Sequence, residues 1–452
     1  MSPSVRKLTV DAVDKVAEIS VLDGNLNPVA RGIGRLSKEL NPGLYKIRVR
    51  VGPTVDERLV SLDADRHVTF DLQRFPSAVP LRDTSKSHEY IGDTAHALSS
   101  GPTHIYGSGA TIFVFSREWS PPEGRGVGNP AAGLKLVDAS GKLLEDIGHV
   151  AQIQKIPDVL ASCSIAVAPG EYRLRLDRAD RPALERALIA VAGWQTQIFL
   201  LQRDDGTVRR PDLEGGSVVM SNRGHFAPED ELTRLSELAR YALTQHHKIL
   251  SEDLRQVLRG KFEDPMLGLF GAHLIIRDMP QDEEILENVF VNLEMLLGNN
   301  HPDVMALSLR RKLPQAPTIR EFHQPPMLRA SWDLIVEASF ASPSLISIGS
   351  PVERIGGQVL PTSSWLTWRT TTAAMGVAEE PVGRQPVLAA LADYMRARVV
   401  ANFPDGTSRA VEAVEQPATS LSELDQASKA ELARSFGVPR LALEGMLDKL
   451  PK

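Results

Sequence analysis

Residues 42–50 read PGLYKIRVR, and residues 169–176 read PGEYRLRL. Alternation in the first places Tyr45, Ile47 and Val49 on one side and Lys46, Arg48 and Arg50 on the other, the two-residue period of a half-buried strand. The second sets Tyr172, Leu174 and Leu176 against Arg173 and Arg175 in the same way. Ahead of each strand Pro presets φ, and Gly supports the positive φ of a type II turn. The surroundings match too. In the first copy, Val16 to Leu72, a strand–turn–strand (AEISVLDGNLNPVARG) precedes the motif, and ERLVSL and HVTFDL follow it. In the second, about Leu134 to Leu201, LKLVDASGKLLED turns at Ser140-Gly141, Glu185-Arg186 answers Glu57-Arg58, and QTQIFLL answers HVTFDL. An ordered series of matches reads as duplication of one small β-sandwich.

The two segments resemble the β-sandwich modules of the carboxypeptidase-regulatory and PEGA type, which share a transthyretin-like fold. The Pro-Gly-x-Tyr turn-strand and its flanking strands carry the resemblance, which stops at these segments. It implies structural or interaction modules without catalytic residues of their own, so docking surface and spacer are both open. Many members of that family are extracytoplasmic, whereas MSPSVRKLTVDAVDKVAEISV lacks the apolar core of a secretory signal.

At 452 residues, a prior of ~100–200 residues per domain suggests roughly three domains. Hydrophobic and charged fractions of 42% and 24% fit a globular chain, while aromatics at 5% argue against stacking platforms. Fifty-seven acids against 51 Lys and Arg leave a net charge of −6, which gives no footprint for nucleic acid. With one cysteine there is no internal disulfide. No uncharged stretch is long enough to span a bilayer, and the expected location is cytoplasmic.

The expected architecture is β then α: two small antiparallel β-sandwich domains, an α-helical domain that can be built of helical hairpins, and a small C-terminal helical segment. The expected boundaries are a first module over 1–75, a linker over 76–109, a second module over 110–203 and a linker over 204–226. Helices follow over 227–345, mixed linker and short strands over 346–385, and C-terminal helices over 386–452. Leu232, Leu235, Leu238, Ala239 and Ala242 form a helical stripe, and Asp264-Pro265 reads as an N-cap followed by Pro at N1. Pro228, Pro265 and Pro302 fall 37 residues apart, which fits either stacked hairpins without the TPR signature or coincidence. The C-terminal stretch has a helix-turn-helix cadence, but Leu441, Ala442, Leu443 and Met446 offer little to read base edges.

No HExxH, GxSxG or GxxxxGK[ST] occurs. Gly124, Gly126 and Gly128 lie between Pro-Pro and Asn-Pro, a surface loop. His225, His246, His247, His273, His301 and His323 show no ligand spacing, and no metal or cofactor is expected. Cys163, in the strand-like LASCSIAV, is a buried hydrophobe or, if folding brings a histidine to it, a weak catalytic candidate. Gly268 and Gly271 allow close approach of a helix or a ligand, and Trp365 and Trp368 are interface anchors or core; these four are the partner-binding candidates. The resulting expectation is a non-enzymatic adaptor that docks a protein partner, with no membrane or nucleic-acid partner. Alternatives are a regulator or substrate of a bacterial effector or protease system switched by linker cleavage, a hydrolase using Cys163, and DNA binding through the terminal helices.

Overall fold

The computed structural model describes residues 5–13, 17–51, 54–71, 77–82, 89–118, 128–156, 158–179, 181–204, 209–244, 257–311, 321–360, 363–370, 433–434 and 437–447. The chain is mixed β and α, with several sheets. Its first sheet holds β1 (Arg6–Ala12), β2 (Glu18–Leu22), β3 (Pro28–Ile33), β4 (Arg35–Leu40), β5 (Gly43–Val51), β6 (Thr54–Leu62) and β7 (Arg66–Phe70), in the order β6-β5-β2-β3-β4-β1-β7. β3 and β4 meet through the single pair Ile33↔Arg35, across Gly34 at φ 65°. That positive φ suits glycine and creases the sheet. The two halves then bury one core, which includes Val10, Ile19, Val21, Ile47, Val49 and Phe70.

Next come α1 (Glu89–Ser99), β8 (His104–Ile105), β9 (Ala110–Arg117), β10 (Leu134–Asp138), β11 (Leu143–Glu145), α2 (Ile147–Val150) and β12 (Gln152–Ile156). They are followed by β13 (Asp158–Val167), β14 (Gly170–Leu176), β15 (Ala183–Ala190), β16 (Gln195–Asp204), β17 (Arg209–Pro211) and β18 (Ser217–Ser221). One sheet runs β11-β10-β14-β15-β19, where β19 is Thr367–Thr370, and another runs β12-β13-β9-β16-β17. The pairing order therefore recurs. β15-β14-β10-β11 repeats β6-β5-β2-β3, and β13-β9-β16 repeats β4-β1-β7, down to the parallel pairs β1–β7 and β9–β16.

The repeated residues explain why. Tyr45 donates its hydroxyl to the Asn41 carbonyl at 2.8 Å, and Tyr172 donates to Ala168 at 2.9 Å, so each ring ties its strand to the turn before it. Asp23 and Asp138 close the preceding hairpins by accepting backbone N–H bonds two and four residues on. Arg48 lies opposite Glu57 and Arg175 opposite Glu185, each an Arg–Glu pair. Arg58 lies 4.2 Å over Phe70, and Arg186 lies 4.0 Å over Trp365. Gly43 differs from expectation in having no positive φ, whereas Gly170 has one, at 154°; each opens its strand while the tyrosine hydrogen bond secures the turn.

Helices α3 (Glu231–Thr244), α4 (Pro265–Asp278), α5 (Glu283–Leu297), α6 (Pro302–Ser308), α7 (Arg329–Ala338), α8 (Pro351–Arg354) and α9 (Arg440–Leu447) complete the described chain. α3 to α6 share the second core, where Leu267 and Phe270 of α4 join Leu188 and Ile198 of the sheets, whereas Trp332 of α7, Val352 of α8 and Leu443 of α9 lie in a third. α3 bridges the first two cores, with Leu238 in the first and Ala239 and Ala242 in the second.

Several expected boundaries shift. Residues 76–109 contain α1, whose Ile91 and Ala95 pack with Phe113, Phe115 and Phe199 on the outer face of a sheet. In 204–226, expected as linker, β17 and β18 pair with β16. Within 346–385, β19 returns to pair with β15. The helices beginning at Pro265 and Pro302 have 14 and 7 residues, while Pro228 lies in the turn before α3, so the even proline spacing does not mark equal hairpins. Ala442 and Leu443 of the helix-turn-helix-like stretch are buried against the chain's own core. His246, His247, Gly124, Gly126 and residues 371–432 lie outside the described residues. Among the described residues no helix is long and apolar enough to cross a membrane.

Candidate functional site

The helical layer holds a trough whose walls are fixed by caps and close packing. Asp264 accepts the Leu267 N–H at 2.9 Å and Pro265 fills the first turn, which sets the start of α4. Burial pushes the Asp264 carboxyl up to about 7. A Cβ on Gly268 would overlap the Phe262 ring, and one on Gly271 would lie 2.6 Å from Leu258, so both glycines serve close packing within the chain. Asp303, fully buried, accepts the Met327 and Leu328 N–H groups at 2.8 and 3.0 Å and pins the entry to α7.

Between α4, α5 and α6 lies a cavity of about 430 Å³, with Ala272, Ile275, Leu286, Phe290 and Leu307 as its apolar walls and Asp282, Glu283, Glu287 and Arg311 among its polar ones. Arg311 pairs with Glu287 and lies 4.0 Å over the Phe290 ring. A second cavity of about 450 Å³ opens between the end of α3, α4 and α7, lined by Leu243, His273, Arg277, Arg329, Asp333 and Ser364 among others. Ile276 and Arg310 line both, so the two adjoin as one trough. Its charges are mostly paired, Arg310 with Glu337 at 2.7 Å and Arg329 with Asp333 at 2.9 Å. His273 is held to Ser331 at 2.9 Å, and burial pushes its imidazole down to about 3, so at neutral pH it is an uncharged packing group. The trough can therefore receive apolar side chains along its length, beside charged groups that are already paired.

The fold does bring a histidine to Cys163. β8 runs parallel to β13, pairing His104 with Ile165, and this places the His104 Nδ1 3.7 Å from the Cys163 Sγ. The His104 Nε2 is 4.0 Å from Glu145, and Tyr106 donates to Glu145 at 2.6 Å. This is the outline of a nucleophile, base and orienting acid. However, the thiol is 2% exposed, and burial, with the Glu145 charge added, pushes it up to about 12. A cysteine nucleophile acts as thiolate and needs the opposite shift. The cluster closes the sheet edge as packing. Among the described residues, no group of three His, Cys, Asp or Glu is placed to hold a metal ion.

The partner-binding candidates Gly268, Gly271, Trp365 and Trp368 are all interior. Trp365 donates its indole N–H to Gly216 at 2.6 Å and meets Phe270 edge-on at 5.7 Å, and Trp368 lies in β19 with its ring in the core. They join the chain to itself and present no ring to a partner. Sequence reasoning missed the trough residues Ile276, Arg310 and Arg329, whose only local signal was basic residues near helix ends.

No family model matches this chain. It is similar to a chain from a Desulfuromonadales bacterium named as a probable protease, 24% identical over 319 residues. The match covers 60% of this chain but only 39% of that one. Among solved structures, the Bacillus anthracis TIE protein overlaps 41% of this chain and 31% of its own at 12% identity and a TM-score of 0.16. A DUF3823 family protein from Bacteroides uniformis overlaps 48% of this chain and 99% of its own, also at 12%, with a TM-score of 0.13. Overlaps this slight assign neither fold nor function.

Proposed function

We propose that this chain is a non-catalytic docking protein whose helical layer receives a segment of a protein partner. The observation that carries the reading is the trough, two adjoining cavities of about 430 and 450 Å³ whose mainly apolar walls are set among charged residues in both halves. Volumes of about 300–1,000 Å³ are typical of binding sites. In this reading the two repeats are copies of one β-sandwich module of the carboxypeptidase-regulatory kind, and they frame the helices. The raised thiol pKa of Cys163 favours docking over thiol hydrolysis.

A second reading is favoured by the match to a longer chain named as a probable protease. There the chain acts beside protease machinery, as regulator or substrate. Its cleavage version loses support at 76–109, where α1 packs onto a sheet and a protease would need it unfolded. The test is recovery of tagged protein from cells of the source organism, with wild type, Ile276→Glu in the trough and Ile348→Glu on an exposed loop elsewhere. A stoichiometric partner kept by wild type and Ile348→Glu but lost by Ile276→Glu supports docking. Identical recoveries from all three proteins would sink it.

A further inference from the structure

We infer that the outer edge of β6, with the face around Leu44 and Leu59, is a second docking site that takes an extended, acidic and apolar strand from a protein partner. The inference is independent of the trough. It comes from comparing the two repeats residue by residue. Tyr45↔Val60 corresponds to Tyr172↔Leu188, Lys46↔Leu59 to Arg173↔Ala187, and Arg48↔Glu57 to Arg175↔Glu185. β6 and β15 are therefore the same strand of the module.

In the second repeat that strand is covered. β19 pairs antiparallel with β15, placing Trp368 opposite Glu185 and Thr367 opposite Arg186, and Ala187 is fully buried in a core with Trp332 and Trp368. In the first repeat the equivalent strand ends the sheet order, and among the described residues no strand pairs with its outer side. Leu59, the counterpart of Ala187, is 69% exposed, and Leu44, the counterpart of buried Glu171, is 54% exposed. Leu44 pairs with Ser61, which puts it diagonal to Leu59 on one face. An open edge with exposed apolar side chains is a template for strand addition.

Charge selects the occupant. Lys46, Arg48, Arg50 and Arg31 share this face with Glu57 and Glu18, the first tied to Lys46 and Arg48, and the Asp278 carboxylate of α4 acts on Glu18 as a third negative charge. The excess is positive, so a complementary strand carries acidic residues beside an apolar or aromatic one over Leu59. Hydrogen-bond direction supplies a clean probe. In the covered copy Ala187 donates its N–H to the Leu366 carbonyl, so the equivalent Leu59 N–H points away from β5. Proline at Leu59 removes an outward donor and leaves the β5 ladder intact.

The experiment is selection of a phage-displayed random decapeptide library on the full chain, with binders then measured by fluorescence polarisation. The proposal expects acidic, alternating apolar peptides whose affinity falls at least about tenfold, the loss of one good contact, in both Leu59→Pro and Leu59→Glu. Their binding should be unchanged in Ile276→Glu, and circular dichroism should show the variants folded. Peptides that respond only to Ile276→Glu would uphold the trough and overturn the edge. A dimer in sedimentation that Leu59→Pro dissociates would replace the partner strand with a second copy of this chain. No enrichment, or enrichment of basic peptides, also overturns the proposal.

Discussion

Replacing Asp264 with Asn should make the protein more stable in mild alkali and leave it nearly unchanged in acid. The native carboxyl titrates at about 7 because it is fully buried, whereas an unfolded aspartate titrates near 3.8. A group whose folded pKa is raised favours folding while it stays protonated. Its contribution is therefore lost as pH climbs from about 4 to about 7 and is flat above. At about 1.4 kcal/mol for each pH unit of that window, the wild type should lose about 2–3 kcal/mol between pH 5 and pH 8 through this residue alone. Asn keeps the acceptor for the Leu267 N–H and caps helices about as well as Asp, but it cannot ionise. Urea unfolding at both pH values, followed through tryptophan fluorescence, suits the site because Trp365 packs on Phe270 of the same helix. Other groups titrate in both proteins, so the quantity of interest is the difference between them. If that difference is the same at pH 5 and pH 8, or favours wild type at pH 8, Asp264 does not carry the charge penalty assigned to it.

Three further outcomes are expected. Tyr45→Phe and Tyr172→Phe should each cost about 1 kcal/mol, the net worth of one hydrogen bond, read by chemical denaturation; two neutral substitutions would mean that the hydroxyls do not secure the repeats. Gly268→Ala should destabilise by about 1–3 kcal/mol through overlap with the Phe262 ring, despite the better helix propensity of alanine, and a rise in Tm would contradict the packing. Cys163 should resist a thiol reagent at pH 8 in the native protein and react at once in urea. Rapid native labelling would revive His104 as its base.

The strands β5 and β14 were legible in the sequence because they are written in alternation, each with a tyrosine whose hydroxyl bonds back to the turn before it. The cap at Asp264-Pro265 was legible for the same reason, since its chemistry spans only three residues. α1 was not: Gly92, Asp93 and Thr94 are weak helix formers, and its stripe of Tyr90, Ile91, Ala95 and Leu98 makes sense only against a sheet of phenylalanines. β19 is four residues long and owes its strand state to β15. The candidate site was least legible. His104 reaches Cys163 through a two-residue parallel pairing, and the trough gathers residues from α3, α4, α5, α6 and α7 that no spacing rule connects.

The pairing of β15 with β19 also sets a clock on biosynthesis. β15 ends at Ala190 and its neighbour begins at Thr367, so the ribosome must add nearly all of the helical layer before that edge can close. At about 5–20 residues per second, the gap lasts on the order of ten to forty seconds. The first sheet draws all seven of its strands from residues 6–70 and can assemble as it emerges. The second must wait with an open flank, so nascent chains truncated between 200 and 360 should be the ones that chaperones hold.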